Sequence, residues 1–397
     1  MLLTTIGEAF EINPQVRIPK GTEVPFVTMD QVVPGQRNVS AAENRVFKGG
    51  SKFEHGDTLM ARITPCLENK KIAQYLPPNH ASPSAGSTEF IVIRGKNGVS
   101  ITPFAYYFVQ SPDIHELAIS LMTGTSGRQR VDTEAFRMSE IWLPNLTIQE
   151  KIAKVLGSLD DKIAVNNRII ETADCLVDAL YHQVKKLPPN STFGEEFEIY
   201  GGATPSTKND EFWGGDIFWA TPTDITALNG PWLLNTSRTI THSGLKATSS
   251  ILHPENAILM TSRATIGKTA LASTPITTNQ GFIIIHAPKD LVPWLFSQLR
   301  NRTHEFESWA NGATFLELPR GVFKTLPFIR CDKDQLAKFN TTAWPLLKHI
   351  EATQQENQTL ARTRDELLPL LMSGKITVWD AEEASAEVGV DKHEVEE

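Results

Sequence analysis

The sequence predicts an α+β chain built as a tandem repeat. A mixed α/β domain is followed by a long α-helix, the same pair then recurs, and the two helices pack along each other. Three observations predict this. Four short segments recur in the same order in the two halves of the 397 residues. Each half closes on a long run whose apolar side chains step by four and three residues. The blocks before those runs hold most of the 24 prolines and 25 glycines, as turn-rich strand domains do.

The elements follow in chain order. The expected boundaries are a first domain over 1–146, a helical spacer over 147–187, a second domain over 188–334, a second helical spacer over 335–379 and an acidic disordered tail over 380–397. In the first block "VPFVTMDQV" (24–32) resembles "DIFWATPTDI" (216–225) in the second, and "DTLMARITP" (57–65) resembles "NAILMTSRATI" (256–266). "EFIVIR" (89–94) resembles "GFIIIH" (281–286), and "TGTSGRQRVDTEAFRMSEIWLP" (123–144) resembles "NGATFLELPRGVFKTLPF" (311–328). Short β-branched and aromatic runs bounded by Gly, Pro, Asn and Ser read as strands. One helix per block is expected, in "PFAYYFVQSPDIHELAISLM" and "PWLFSQLRNRTHEFESWA".

The long runs read as helices. One seam is Ile148, Ile152, Val155, Leu159, Lys162, Asn166, Ile169, Ala173, Leu176 and Leu180. The other is Phe339, Ala343, Leu346, Ile350, Thr353, Asn357, Leu360, Arg364, Leu367 and Leu371. Both carry the heptad signature of helices packed along their length. Gly157 and Pro345 interrupt the pattern, and Pro345 is expected to kink or start the second helix. Ile152 aligns with Leu336 at an offset of 184, whereas Asn166 aligns with Asn357 at 191. The difference is seven, and one added heptad lengthens a coiled coil without rotating its seam.

Composition narrows the function. Hydrophobic residues make up 40% and charged residues 21%, an ordinary globular balance. No run of about 18 apolar residues exists, which argues against a membrane span. The start, "MLLTTIGEAFEINP", lacks the basic region of a signal peptide. Cys66, Cys175 and Cys331 show no CxxC spacing, so no zinc site or disulfide framework is expected and a cytoplasmic location fits. Of the net charge of −8, the tail from Asp380 onward contributes −7, leaving a body near neutral. Nucleic acid would therefore have to meet local basic patches. "SRATIGKT" (262–269) has Ser262 where a phosphate-binding loop has its first glycine. GxGxxG, HExxH and GxSxG are absent, the ten histidines are scattered, and paired acids such as Asp160 and Asp161 are adjacent. No catalytic residue, metal site or cofactor is implied, which favours recognition over catalysis.

The residues that remain resemble a known family. They are "GGATPSTKNDEFWGGDIFWATPTDI" (201–225), the "GTSG" loop, the "LP…Q" approach to the first helix and the closing "ENQTLARTRDELLPLLMSGKI" (356–376). Together they resemble the specificity subunit of type I restriction-modification systems over nearly the whole chain apart from the tail. The resemblance implies that the two helices pair as an antiparallel coiled coil and hold apart two target-recognition domains, each reading half of a bipartite double-stranded DNA target across a gap set by the helices. It also implies a non-enzymatic role, two DNA adenine methyltransferase subunits as partners, and restriction subunits that translocate DNA with ATP. Two features depart from the pattern. "GTSGRQR" becomes "GATFLEL" in the second repeat, and the first block lacks the "GGTPS…WGGDI" opening.

Candidate DNA-binding residues are polar or basic groups on loops beside rigid strands. In the first block these are Arg62, Thr64, Asn69, Lys70 and Lys71, then Thr125, Ser126, Arg128, Gln129 and Arg130. In the second they are Thr204, Ser206 and Lys208, then Ser262, Arg263, Thr265 and Lys268. Arg reads guanine and Gln reads adenine, while lysine more often holds phosphate. Trp213 and Trp219 read as core. The alternative is a protein-interaction scaffold with two binding domains on a coiled-coil spacer, which would show no dependence on DNA sequence.

Overall fold

The computed structural model describes residues 2–77, 83–125, 127–312 and 316–390. The chain divides into two compact units, 1–164 with 358–397, and 165–357. The division cuts both long helices, so each unit takes one α/β domain together with a stretch of each helix.

The first unit is built on a five-stranded sheet. Its order is Phe10–Ile12, Phe90–Gly95, Thr58–Ala61, Ile72–Tyr75 and Asn38–Val39. Thr58–Ala61 and Ile72–Tyr75 are buried at every position, the polar Thr58 and Gln74 included. A second sheet runs Glu43–Val46, Glu23–Val27, Ser84–Gly86 and Ser51–Phe53. Thr102–Gln110 lays Phe104 and Phe108 against Phe10, the latter pair with centroids 4.6 Å apart. The single helix expected here is two. Ser111 is extended and Pro112 starts Pro112–Ser120, because a residue before proline is pushed out of helical geometry.

The second unit repeats the plan. Its sheet runs Glu198–Gly201, Phe282–His286, Ile258–Thr261, Thr269–Ala272 and Trp232–Leu233. Strand for strand this is the order of the first unit, including the parallel edge strand. The resemblance between "EFIVIR" and "GFIIIH" therefore marks equivalent strands. Thr239–Ile240, Trp213–Ala220 and Ile276–Thr278 form a second sheet.

The long helices are Leu146–Gln183 and Lys333–Met372. Gln149, fully buried, ties the first helix to its domain. Its side chain donates to the carbonyls of Pro144 (2.8 Å) and Val99 (3.0 Å) and accepts from the Ile101 N–H (3.1 Å). In the second unit Asn166 donates to Glu356 (2.7 Å), Asn357 to Asn167 (2.8 Å), and the Lys185 N–H to Gln335 (3.1 Å). One helix advances from 166 to 185 while its partner recedes from 356 to 335, so the pair is antiparallel. In the first unit Asp160 meets Arg364 at 2.6 Å, and Ile152, Val155, Leu156 and Leu159 share a core with Leu360, Leu367, Leu368 and Leu371.

Three expectations about these helices are corrected. In the later part of the first helix the buried line is Asn166, Ile170, Ala173, Val177 and Tyr181, while Ile169 and Leu176 are exposed. The cause is the domain packed there: Ile170, Val177 and Tyr181 join the core of Trp232, Trp294 and Phe296. Pro345 does not start the second helix, since Lys333–Met372 runs through it. Finally, the tail is not wholly disordered. Val378–Glu387 is a helix, its N-terminus capped by Thr377 and Asp380, with Ala381 and Val390 in the first unit's core. Residues 391–397 lie outside the described residues.

The domains sit on the helices through polar as well as apolar contacts. In the second unit Trp232 is fully buried and donates its indole N–H to the Leu347 carbonyl at 2.7 Å. Gln354 accepts from the Trp232 N–H (3.2 Å) and donates to its carbonyl (3.1 Å). In the first unit Tyr107 donates to Asp160 at 2.7 Å. Arg37 donates to the Gly157 carbonyl at 3.1 Å, where a Cβ on Gly157 would sit 3.1 Å from the guanidinium.

Candidate nucleic-acid interface

In the first unit the buried strand Thr58–Ala61 delivers the chain to Arg62. There the Arg62 N–H donates to the Glu89 carbonyl and its own carbonyl accepts from the Val131 N–H, both at 2.9 Å. The Thr64 N–H donates to the Gln129 carbonyl at 3.1 Å. Two loops far apart in sequence are thus laced edge to edge, and Arg62, Thr64, Gln129 and Arg130 come together. Thr125 and Arg128 are exposed on the same second loop. Ser126 lies outside the described residues.

Not every candidate is free to meet DNA. Arg130 forms a fork with Glu89 at 3.0 and 2.7 Å. The hydrogen bond from Arg130 holds the Glu89 carboxyl below the usual carboxylate range, and Glu89 raises the guanidinium in return. Lys71 donates its ammonium to the Met29 carbonyl at 2.8 Å, so it is a structural tie and not an exposed reader. Asn69 and Lys70 lie apart from the laced loops. With Tyr106, Gln110 and Arg364 they line a cavity of about 520 Å³ against the second long helix.

The second unit repeats the lacing. The Ser262 N–H donates to the Gly281 carbonyl (2.8 Å), and the Ser262 carbonyl accepts from the Leu318 N–H (2.9 Å). Ser262 is only 3% exposed, which removes it as a contact residue. Its strand-end position is the cause, since both sides are covered by neighbouring backbone. Arg263 pairs with Glu317 at 3.0 Å. Thr204 donates its hydroxyl to Gln280 at 2.6 Å, beside Gly281, and so joins this group. Thr265 and Lys268 are exposed on a tight turn held by Thr261, which donates its N–H to the Lys268 carbonyl at 2.8 Å.

Ser206 and Lys208 lie on an exposed loop that two tryptophans pin. Trp213 donates its indole N–H to the Ser206 carbonyl (3.1 Å), and Trp219 donates to the Ala203 carbonyl (3.0 Å). Trp219 is buried, as read from sequence, whereas Trp213 is half-buried at the edge of that cluster. Gly202 is required by closeness: a Cβ there would lie 2.1 Å from the Asn279 carbonyl oxygen.

Sequence reasoning missed other groups. Arg238 stacks 3.5 Å over the Trp213 ring, a contact with no sequence signature. Arg17, Lys52 and Thr88 border Arg62 along one groove. Laying "FEI" at 10–12 on "FEI" at 197–199 would have placed Arg17 opposite Thr204. Among the described residues no group of acids, histidines and cysteines is arranged to hold a metal ion.

Comparison with known proteins decides the family. The family model described as the type I restriction modification DNA specificity domain matches residues 65–173 and 190–329, more than half of the chain and once in each block. The chain belongs to the type I restriction-modification DNA specificity family. Among its relatives in the family, the MjaIX specificity subunit of Methanocaldococcus jannaschii is 36% identical over 174 residues, covering 43% of this chain and 40% of the relative. The EcoAI specificity subunit of Escherichia coli is 30% identical over 154 residues, covering 38% of this chain and 26% of the relative. The chain thus spans less than half the length of these curated relatives. A crystallised S subunit from M. genitalium has the same fold at 14% identity, with a TM-score of 0.51 over 93% of this chain and 95% of that one.

Proposed function

We propose that this chain is the DNA sequence-specificity subunit of a type I restriction-modification complex. Residues 1–146 and 188–334 act as target-recognition domains, each reading one half of a bipartite double-stranded target. The helical segments 147–187 and 335–379 act as the spacer that fixes the gap. The carrying observation is the strand-for-strand repetition of the domain, each copy with its reading loops laced at the same strand end. Repeated readers on a fixed spacer convert distance along DNA into selectivity, as half-site spacing does in dimeric DNA-binding proteins.

Catalysis belongs to the partners in this reading. Two adenine methyltransferase subunits dock on the helices, restriction subunits join them, and the complex works in the cytoplasm. An apolar stripe supports docking: Val165, Ile169 and Leu176 lie along one face of the first helix at 49%, 38% and 45% exposure. Exposed apolar residues at helical spacing fit a partner helix. Among the described residues no helix is long and apolar enough to cross a membrane.

The test is a mobility-shift assay on double-stranded DNA with the methyltransferase partner present. Sequence-dependent binding that is lost when either half of the target is scrambled is the expected result. Binding indifferent to sequence would return the chain to the scaffold reading.

A further inference from the structure

A groove of the first unit gathers cations at positions where the second unit has uncharged residues. Asn13, Gln15, Arg17, Lys52, Arg62 and Thr88 are among the residues lining this cavity of about 720 Å³. Three of these are cations. The Arg62 Nε is buried and, among the described residues, has no acceptor. Glu89, the carboxylate that senses the Arg62 charge, is already forked to Arg130. The groove therefore holds a guanidinium with one buried donor unpaired, flanked by two further positive charges.

Sheet register locates the equivalent positions. Ile12 pairs with Ile93 and Ile199 with Ile285; five residues beyond Ile12 and Ile199 stand Arg17 and Thr204. Phe53 pairs with Ser84 and His253 bridges Ile276, so Lys52 corresponds to Leu252. The Arg62 N–H bonds the Glu89 carbonyl as the Ser262 N–H bonds that of Gly281. Where the first domain has Arg17, Lys52 and Arg62, the second has Thr204, Leu252 and Ser262.

We propose that this groove is the DNA seat of the first domain, with Arg62 reading a guanine edge and Arg17 and Lys52 holding phosphates. The second domain carries no cation at these three places. The inference rests on the specificity-subunit reading above. A guanidinium lining a groove can meet a planar pair of acceptors, which guanine O6 and N7 supply in the major groove. Cations on the rim carry affinity without sequence information. The two half-sites then differ in salt dependence, because each phosphate contact releases counterions.

The experiment uses the full chain assembled with its methyltransferase partner and a randomised double-stranded DNA library. Wild type selects a bipartite target. Arg62→Gln and Arg62→Lys both lose preference for one guanine in the first half-site, weakening binding to the selected target by about 5- to 150-fold. The preferences of the second half-site stay as in wild type. Arg17→Ala and Lys52→Ala weaken binding to all sequences, and each lowers the salt slope by about one. Arg62→Lys keeps the charge and the stem, so lost preference in that variant separates reading from folding. Unchanged first-half preference in both Arg62 variants overturns the inference while leaving the specificity reading intact. A wild-type complex that selects no sequence overturns the specificity reading itself, and this inference with it.

Discussion

Replacing Arg364 with Ala tests how the first domain is seated on the helix pair. Arg364 and Asp160 are 8% and 5% exposed and meet at 2.6 Å. Arg364 also donates to the Gly35 carbonyl at 3.2 Å, binding the loop that carries Arg37. Without Arg364, Asp160 keeps its bond from Tyr107 and the nearby charge of Arg37 but loses the cation bonded to it in a buried site. Removing one partner of a buried ion pair costs about 3–5 kcal/mol. For a unit of roughly 200 residues that lowers the melting temperature by about 6–20 °C. The double variant Arg364→Met with Asp160→Leu removes both charges and should recover part of the loss, the rest remaining because the buried Tyr107 hydroxyl loses its acceptor. Thermal unfolding, with hydrogen exchange to assign the transition to the first unit, reads the effect. A single variant losing less than about 1 kcal/mol, the scale of an exposed pair, would refute the reasoning. So would a double variant no better than the single.

Three further outcomes are expected. Burial, with His286 beside it, pushes the His253 imidazole down to about 4, and burial also lowers His286. A pKa depressed on folding gives stability that is present above the unfolded value near 6.5 and is lost as pH falls toward 4. About 3 kcal/mol should leave the second unit across that window, and His253→Gln should flatten the profile in pH-dependent melts. Ile169→Asp with Leu176→Asp should leave the melt of the isolated chain within about 0.5 kcal/mol while abolishing co-purification of the methyltransferase; retained co-purification contradicts docking there. Arg128→Ala should weaken binding through the first half-site by about 1–3 kcal/mol, more than Arg130→Ala, whose side chain is spent on Glu89.

The duplication was legible because equivalent strands kept equivalent residues. "EFIVIR" and "GFIIIH" are central strands of matching sheets, and their apolar runs survive because both faces are covered. The second helix was legible over most of its length: Phe339, Ala343, Ile350, Thr353, Leu360, Arg364, Leu367 and Leu371 are buried, while Leu346 and Asn357 are half-buried and Leu347 takes the core place beside Leu346. The first helix misled where apolar residues sit side by side. Ile169 neighbours Ile170 and Leu176 neighbours Val177, so periodicity alone does not choose the face; the domain packed against it does. The acidic tail misled because charge marks solvent exposure only on average. Ala381 and Val390 anchor a helix whose acids face outward.

The candidate site was legible as loops and not as free side chains. The sequence placed Arg62 and Arg130 beside strands, and the structure laces their loops together. That Arg130 is paired depends on Glu89, 41 residues away, and that Ser262 is covered depends on Leu318. Such pairings are set by sheet register, which no short motif states. Arg17 was hidden because the first block lacks the glycine-rich opening that drew attention to Thr204.

Mapping methylated adenines genome-wide, in cells with and without this chain, tests the central claim most directly. A bipartite motif with one fixed gap, present only when the chain is present, is the predicted result. Identical methylation in both strains, or a motif without a constant gap, would contradict it.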